Sequence, residues 1–199
     1  MNRLAIGLSA SLLCLFVGAA HAATIQYSAT LTGPSEDPAN TSPGTGFATV
    51  LIDDASNMMT VKASFSGLTA PTTASHIHCC TPVPFEGKAG VATSLPTFPN
   101  FPLGVTSGSY TETFDLLNLS TYNAGFVTSH GGNVDSARLA FLDGLASGRA
   151  YLNIHTTAFP AGEIRGFLTE VPEPGSIALF GLGAAGLAAL RRRRGFARA

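Results

Sequence analysis

Alternation of apolar and polar residues with a period of two runs through the middle of the chain and limits what it can fold into. Ile25, Tyr27, Ala29 and Leu31 form the apolar side of a first strand, because successive side chains of a strand point to opposite faces. The same pattern predicts further strands at 48–52, 59–65, 75–78, 111–116, 150–155 and 164–169. The polar run 53–57 is typical of a hairpin turn.

Two segments depart from this alternation. Leu139, Leu142 and Leu145 recur at helical spacing, which predicts a short helix over 135–146 that Asn133 or Asp135 can cap. The segment 81–108 is rich in Pro, Gly and Thr, and we expect it to be a long ordered loop. The fold class expected for 23–171 is therefore all-β and mainly antiparallel, a β-sandwich with one short helix.

The N-terminus has the features of a signal peptide over residues 1–22. Arg3 precedes the apolar run 4–20, and Ala20-His21-Ala22 fits the small-x-small pattern at which signal peptidase cleaves. An uncleaved membrane anchor is the alternative interpretation. We expect cleavage, so that the mature chain starts at Ala23.

The C-terminal segment 172–199 is a second targeting signal. Its uncharged apolar run, 176–190, spans roughly 22 Å as a helix, which predicts a short transmembrane segment against a hydrocarbon core of ~30 Å. A cluster of positive charges follows this run and favours the cytoplasmic side, which places residues 23–171 outside the inner membrane. The cluster consists of Arg191, Arg192, Arg193 and Arg194.

This tail resembles a PEP-CTERM sorting signal of Gram-negative bacteria. The resemblance rests on Pro172, Glu173 and Pro174, followed by the apolar run and then the arginine cluster. It implies processing by an exosortase after transient anchoring in the inner membrane. The expected final location is the outer surface or the extracellular space. An ordinary C-terminal anchor is the alternative.

Charge excludes one class of partner. Only 12% of the chain is charged, and its net charge is −1. Residues 23–171 alone hold five basic side chains against eleven acidic ones, a net charge of −6. An acidic exported domain repels the phosphate backbone, so nucleic acid is not an expected partner.

The middle of the chain also resembles the CHRD domain, first described in chordin and found in bacterial exported proteins. The matching residues are Ala29-x-Leu31-x-Gly33-x-x-Glu36, His76-x-His78, Asn153-x-His155-Thr156 and Pro160-x-Gly162-Glu163-Ile164-Arg165-Gly166. The resemblance implies an immunoglobulin-like or superoxide-dismutase-like sandwich, and for bacterial members it implies no established activity. Cys79 and Cys80 stand where other members often have a glycine-containing turn.

Strand geometry gives the histidines a possible chemistry. His76 and His78 point to one face of their strand, and His155 shares a face with Asn153. If the two strands are close, three imidazoles converge and can hold zinc or copper with one position open. The alternative is a structural polar cluster, in which the histidines bond to backbone carbonyls and to Glu163 or Arg165.

The cysteines leave three arrangements open. Cys14 leaves with the signal peptide, so the exported domain keeps Cys79 and Cys80. Export favours oxidation. The two thiols can form a vicinal disulfide, link to other chains, or act as thiolate ligands beside the histidines.

Two classes of function follow. Nucleophile and phosphate-loop motifs are missing from the sequence, which favours a non-enzymatic binding or structural role in the cell envelope or extracellular matrix. Extracellular polysaccharide and surface proteins are the expected partners. The alternative is a metal-dependent redox or hydrolytic enzyme built on His76, His78 and His155.

Epitope tags placed after Ala23 and after Ala199 are expected to separate in cell fractions. Exosortase-type processing removes the tail, so the N-terminal tag should appear in the envelope or medium without the C-terminal one. Immunoblots of the fractions with both antibodies check this. Exported protein that always carries both tags would contradict the sorting interpretation.

Overall fold

The computed structural model describes residues 24–172, 182–183 and 186. The predicted signal peptide at 1–22 lies outside the described residues, as does the tail from Glu173 onward apart from those three positions. Within the described residues, no helix combines the length and the apolar character needed to cross a membrane.

The domain is mostly antiparallel β structure, as predicted. One continuous hydrogen-bonded sheet curls on itself to give sandwich-like packing, with the strand order β4-β6-β7-β1-β2-β3-β5, and β8 pairs with β1. The strands are β1 (Thr24–Thr32), β2 (Thr45–Asp53), β3 (Met58–Ser66), β4 (Thr72–His78), β5 (Gly108–Asp115), β6 (Tyr151–Thr156), β7 (Ile164–Phe167) and β8 (Thr169–Glu170).

The inner side of the curled sheet is the apolar side that the alternation predicts. Tyr27, Ala29 and Leu31 of β1 are all buried there, and so are Leu152 and Ile154 of β6. The β2–β3 hairpin turns as expected, since the Asp53 carboxylate accepts hydrogen bonds from the backbone of Ala55 and Ser56. Outward-facing residues are therefore free to form sites.

The helical content exceeds the prediction of one short helix. The expected helix is present as α2 (Val134–Ala146), and the Asn133 side chain caps it. A second helix, α1 (Ala124–Ser129), was not predicted. It has six residues, too few to show a periodic apolar pattern, and it begins because the Asn123 side chain accepts a hydrogen bond from the Gly125 backbone.

The long loop after β4, here called the cover loop (79–107), lies along the outer edge of that strand. The Ile77 carbonyl accepts from Ala92, and the Ser75 carbonyl accepts from Phe98. No strand or helix is assigned within the cover loop, in agreement with its Pro- and Gly-rich composition. The loop therefore forms a cover over the outward face of β4.

Candidate metal centre

Pairing between β4 and β6 brings the predicted histidines together. The two strands are antiparallel neighbours, with His76 opposite Asn153 and His78 opposite Tyr151. Directly opposed residues share a face of a sheet, so His155 lies diagonally across from His76. One potential ligand nitrogen from each of the three histidines lies within 4.8 Å of the other two.

Each imidazole is oriented by a hydrogen bond from one ring nitrogen to a backbone carbonyl. The three bonds are His76 Nε2 to Pro96 O (2.7 Å), His78 Nδ1 to Ala89 O (2.9 Å) and His155 Nδ1 to Pro160 O (2.9 Å). A carbonyl can only accept, so each bonded nitrogen carries the proton. The other nitrogen of each neutral ring then carries a lone pair and no proton.

These lone pairs face one another. His76 Nδ1 lies 3.3 Å from His155 Nε2, although neither nitrogen has a proton to share when both rings are neutral. His78 Nε2 is buried, and within the described part of the chain it has no hydrogen-bond partner. Asn153 Oδ1, on the same face, is likewise buried without a partner there. The three imidazoles thus present acceptors to one another with no proton between the rings.

Burial keeps the histidines neutral. It lowers the pKa of His76 and of His78 to about 4, against the partial opposing effect of their carbonyl bonds. Burial also lowers the pKa of His155. Neutral imidazole is the form that ligates a metal. At neutral pH the three rings are therefore in the ligating state.

Three imidazoles are a donor set that metal centres use, and one pair of their nitrogens has a matching separation. Two ligands ~2.0–2.1 Å from a tetrahedral ion lie about 3.3–3.4 Å apart, close to the observed nitrogen separation of 3.3 Å. Imidazole is a ligand that suits zinc and copper. The Tyr151 ring stacks on His78 with centroids 4.8 Å apart, which fixes the plane of that imidazole.

Arg165 lies next to the histidines but does not bond to them. It is opposite Asn153 on β7, and its guanidinium carbon lies 4.7 Å above the centre of the Tyr151 ring. Its closest charged partner is Glu36, at 3.8 Å. Burial raises the pKa of Glu36 to about 7, although the Arg165 charge opposes this rise. Arg165 and Glu36 thus form a buried pair beside the histidine cluster.

Glu163 makes its hydrogen bonds with other segments of the domain and not with the histidines. The sequence offers Glu163 as a partner of the histidines in a structural cluster. Its carboxylate instead accepts hydrogen bonds from the hydroxyls of Ser42 and Thr156, each at 2.6 Å, and from the Thr69 backbone. Glu163 comes just before β7, so it does not follow the alternation of that strand. It ties three separate segments together.

Sequence reasoning missed several parts of the centre. Sequence reasoning gives Tyr151 no role, and Glu36 stands only among the residues that resemble the CHRD domain. The three orienting carbonyls, of Ala89, Pro96 and Pro160, carry no side-chain signal because any residue supplies a carbonyl. Only the path of the cover loop and of the turn before β7 places them.

The comparisons with known proteins agree with this fold. The family model described as the CHRD domain matches residues 27–168. The chain belongs to the CHRD-domain family. Searches of curated proteins and of solved structures find no match.

A second match concerns the tail of this CHRD-domain protein. The PEP-CTERM protein-sorting motif matches residues 170–194, which confirms the predicted resemblance. The protein is therefore exported, directed to the cell envelope and recognised by exosortase processing. Both matched families are binding or sorting elements, and neither indicates a catalytic activity.

The cysteines of this CHRD domain are joined in a disulfide between Cys79 and Cys80. As a disulfide they offer no thiolate, and among the described residues the candidate ligands are the three histidines. Both sulfur atoms pack directly on Gly144 of α2, where a Cβ atom would overlap them. The disulfide thus joins the end of β4 to the helix by contact.

Replacing Gly144 by Ala is expected to destabilise the domain by about 1–3 kcal/mol, because the added methyl overlaps the two sulfur atoms. Gly125→Ala is the matched control, since a Cβ there meets only the Asn123 side chain at 3.5 Å. Chemical denaturation of both variants measures the difference. Equal stability of the two variants would contradict the packing described.

Glu163→Gln is expected to cost about 1–3 kcal/mol at pH 7, because three donors lose a charged acceptor. Burial alone would raise the pKa of Glu163, but its hydrogen bonds to Ser42, Thr156 and Thr69 outweigh burial and lower it. This stabilisation is complete above the ordinary value of 4.5 and is lost as the pH falls through the lowered folded value. The gap between wild type and variant should therefore shrink in acid.

Urea unfolding at a series of pH values measures this gap. Glu86→Gln serves as the control, since Glu86 is exposed and its side chain has no hydrogen bond among the described residues. A Glu163→Gln variant as stable as wild type at pH 7 would show that the carboxylate does not tie the segments together.

Proposed function

We propose that this exported CHRD domain is a non-enzymatic binding module of the cell envelope or extracellular matrix, and that it holds one zinc or copper ion. The ligands would be His76, His78 and His155. In the same proposal, the tail anchors the protein in the inner membrane until exosortase processing releases it to the outer surface or the medium.

One observation carries the metal proposal. Each of the three imidazoles donates its one N–H to a backbone carbonyl, so three lone pairs meet in a largely buried space without a proton between them. A purely structural cluster would place donors opposite acceptors, because an unpaired buried polar atom costs about 1–3 kcal/mol. A cation would remove this cost at His78 Nε2 and would ligate the facing nitrogens of His76 and His155 at the same time.

The carbonyl bonds also support the proposal by their chemistry. Histidines that ligate a metal almost always donate the second ring nitrogen to a carbonyl, carboxylate or water, which fixes the tautomer and the ring orientation. The hydrogen bonds to Pro96, Ala89 and Pro160 have this form. In a purely structural cluster, these bonds would satisfy only one nitrogen of each ring and would leave the other nitrogen without a donor.

The surroundings favour binding over catalysis. The matched families indicate no catalytic activity. The Glu163 carboxylate is occupied by three donors, so it is not free to act as an acid or base on a ligand at the metal. An ion at this place would instead connect β4 to β6 beneath the cover loop.

Full-length protein without a polyhistidine tag, purified in a mild detergent, is expected to bind about one equivalent of Zn²⁺ or Cu²⁺ at pH 7. His78→Ala and His155→Ala should each weaken binding at least about 100-fold, since each removes a ligand and not merely an orienting group. Calorimetric titration with the metal salt and elemental analysis of the protein as purified measure both quantities.

His130→Ala is the matched control, because His130 lies in the turn after α1 and packs on Phe126, away from the cluster. It should bind as wild type does. Bound metal should also raise the melting temperature of wild type but not of His78→Ala. A wild-type protein that takes up neither metal would overturn the proposal.

A further inference from the structure

A second outward face of the sheet is built almost entirely of hydroxyl side chains. It is formed by β1, β2, β3 and β5, which pair in an unbroken register. The four strands have nineteen outward positions, and the fifteen that lie outside the end row of Thr24, Asp53, Met58 and Asp115 include eleven Ser or Thr, none of the fifteen being buried. We call these fifteen the hydroxyl face: Gln26, Ser28, Thr30, Thr32, Thr45, Phe47, Thr49, Leu51, Thr60, Lys62, Ser64, Ser66, Ser109, Thr111 and Thr113.

The register arranges these side chains in rows across the four strands. One row reads Thr30, Phe47, Ser64 and Ser109. Strand spacing and side-chain period give the face dimensions of about 14 by 20 Å. The Thr60 and Thr113 hydroxyls lie 3.0 Å apart across β3 and β5, so neighbouring hydroxyls already form hydrogen bonds. The face is a regular array of groups that both donate and accept.

Charge is nearly absent from this array. Lys62 is its only charged residue, although the domain from 23 to 171 carries a net charge of −6. Acidic side chains begin only at the hairpin end, where Asp53 and Asp115 flank Met58 in the next row. Within the hydroxyl face itself, no carboxylate is available for a basic partner.

An aromatic ring stands in the middle of the hydroxyls. Phe47 is 49% exposed, and a shallow depression lies on each side of it. The larger depression, of about 430 Å³, is bordered by Thr45, Ser64 and Ser66. The smaller one, of about 190 Å³, reaches Thr49, Lys62 and Thr111. Phe47 is the only aromatic residue among the fifteen, so it gives the hydroxyl face one apolar platform between two depressions.

We propose that the hydroxyl face binds an uncharged polysaccharide. Sugar hydroxyls donate and accept hydrogen bonds in the same way as the Ser and Thr side chains do. The apolar C–H side of a sugar ring fits on the face of Phe47, whose π system is negative where the C–H groups are positive. The two depressions beside the ring would accept the adjoining sugar units.

The composition of the face disfavours the other occupants. Interfaces between proteins are depleted in Ser at their core, and permanent ones are apolar, whereas this face offers only Phe47 and Leu51 as large apolar groups. An acidic polymer would meet one lysine on a domain of net negative charge. An uncharged hydroxyl-rich polymer meets neither obstacle.

This inference does not depend on the metal site. The hydroxyl face uses β1, β2, β3 and β5, whereas the histidines are on β4 and β6. Polysaccharide binding should therefore be unchanged in His78→Ala. Loss of metal binding and loss of polysaccharide binding can be told apart with the same set of proteins.

Affinity electrophoresis of the full-length protein tests the proposal, with a detergent that contains no sugar. Native gels would contain dextran, galactomannan or a β-1,3-glucan, and a gel with alginate would represent an acidic polymer. We expect at least one uncharged polysaccharide to retard wild type. Phe47→Ala should weaken the interaction about two- to tenfold, and Thr49→Glu should weaken it too, since it places a charge at the centre of the face.

Phe85→Ala is the matched control, because Phe85 is a similarly exposed ring in the cover loop, at 56%. It should be retarded as wild type is. Thermal melting of each variant separates a binding defect from misfolding. Retardation by none of the uncharged polymers, retardation by alginate alone, or equal retardation of Phe47→Ala and wild type would overturn the proposal. So would a dimer in size-exclusion chromatography that Phe47→Ala converts to a monomer.

Discussion

The antiparallel pairing of β4 with β6 is the constraint on which the candidate centre depends. It joins His76 to His155 across a sequence separation of 79 residues. One residue of slip would turn every histidine of one strand to the core side, because side chains alternate between faces. Ile77, Leu152 and Ile154 are fully buried on that core side and hold the register in place. The apolar core therefore determines where the polar site forms.

Strand positions and the face of each histidine could be predicted, because both follow from a period of two. His76 and His78 share a face whatever the rest of the chain does. Which strands become neighbours could not be predicted, since the alternation of each strand is compatible with many partners. The orienting carbonyls, the short helix α1 and the place of Glu163 depend on loops, and their geometry follows from contacts distant in sequence.

The hydroxyl face shows the same difference between features that one strand determines and features that depend on which strands are neighbours. Thr30, Phe47 and Ser64 are each visible as outward residues of a single strand. They become one surface only when the register of β1, β2 and β3 aligns them in a row. In the sequence they are scattered polar residues of the kind found on any solvated strand. The outward side of one strand can be predicted from its sequence, but a surface made by several strands can be predicted only when their neighbours in the sheet are known.

The cover loop affects how exported copies of this protein can associate with one another. Its backbone pairs with the outer edge of β4 through the bonds of Ala92 to Ile77 and of Phe98 to Ser75. An edge whose N–H and C=O groups are already paired cannot serve as a template for a strand of another molecule. The loop that orients two imidazoles thus also prevents this border of the sheet from nucleating fibrous aggregation when exported copies accumulate at high local concentration.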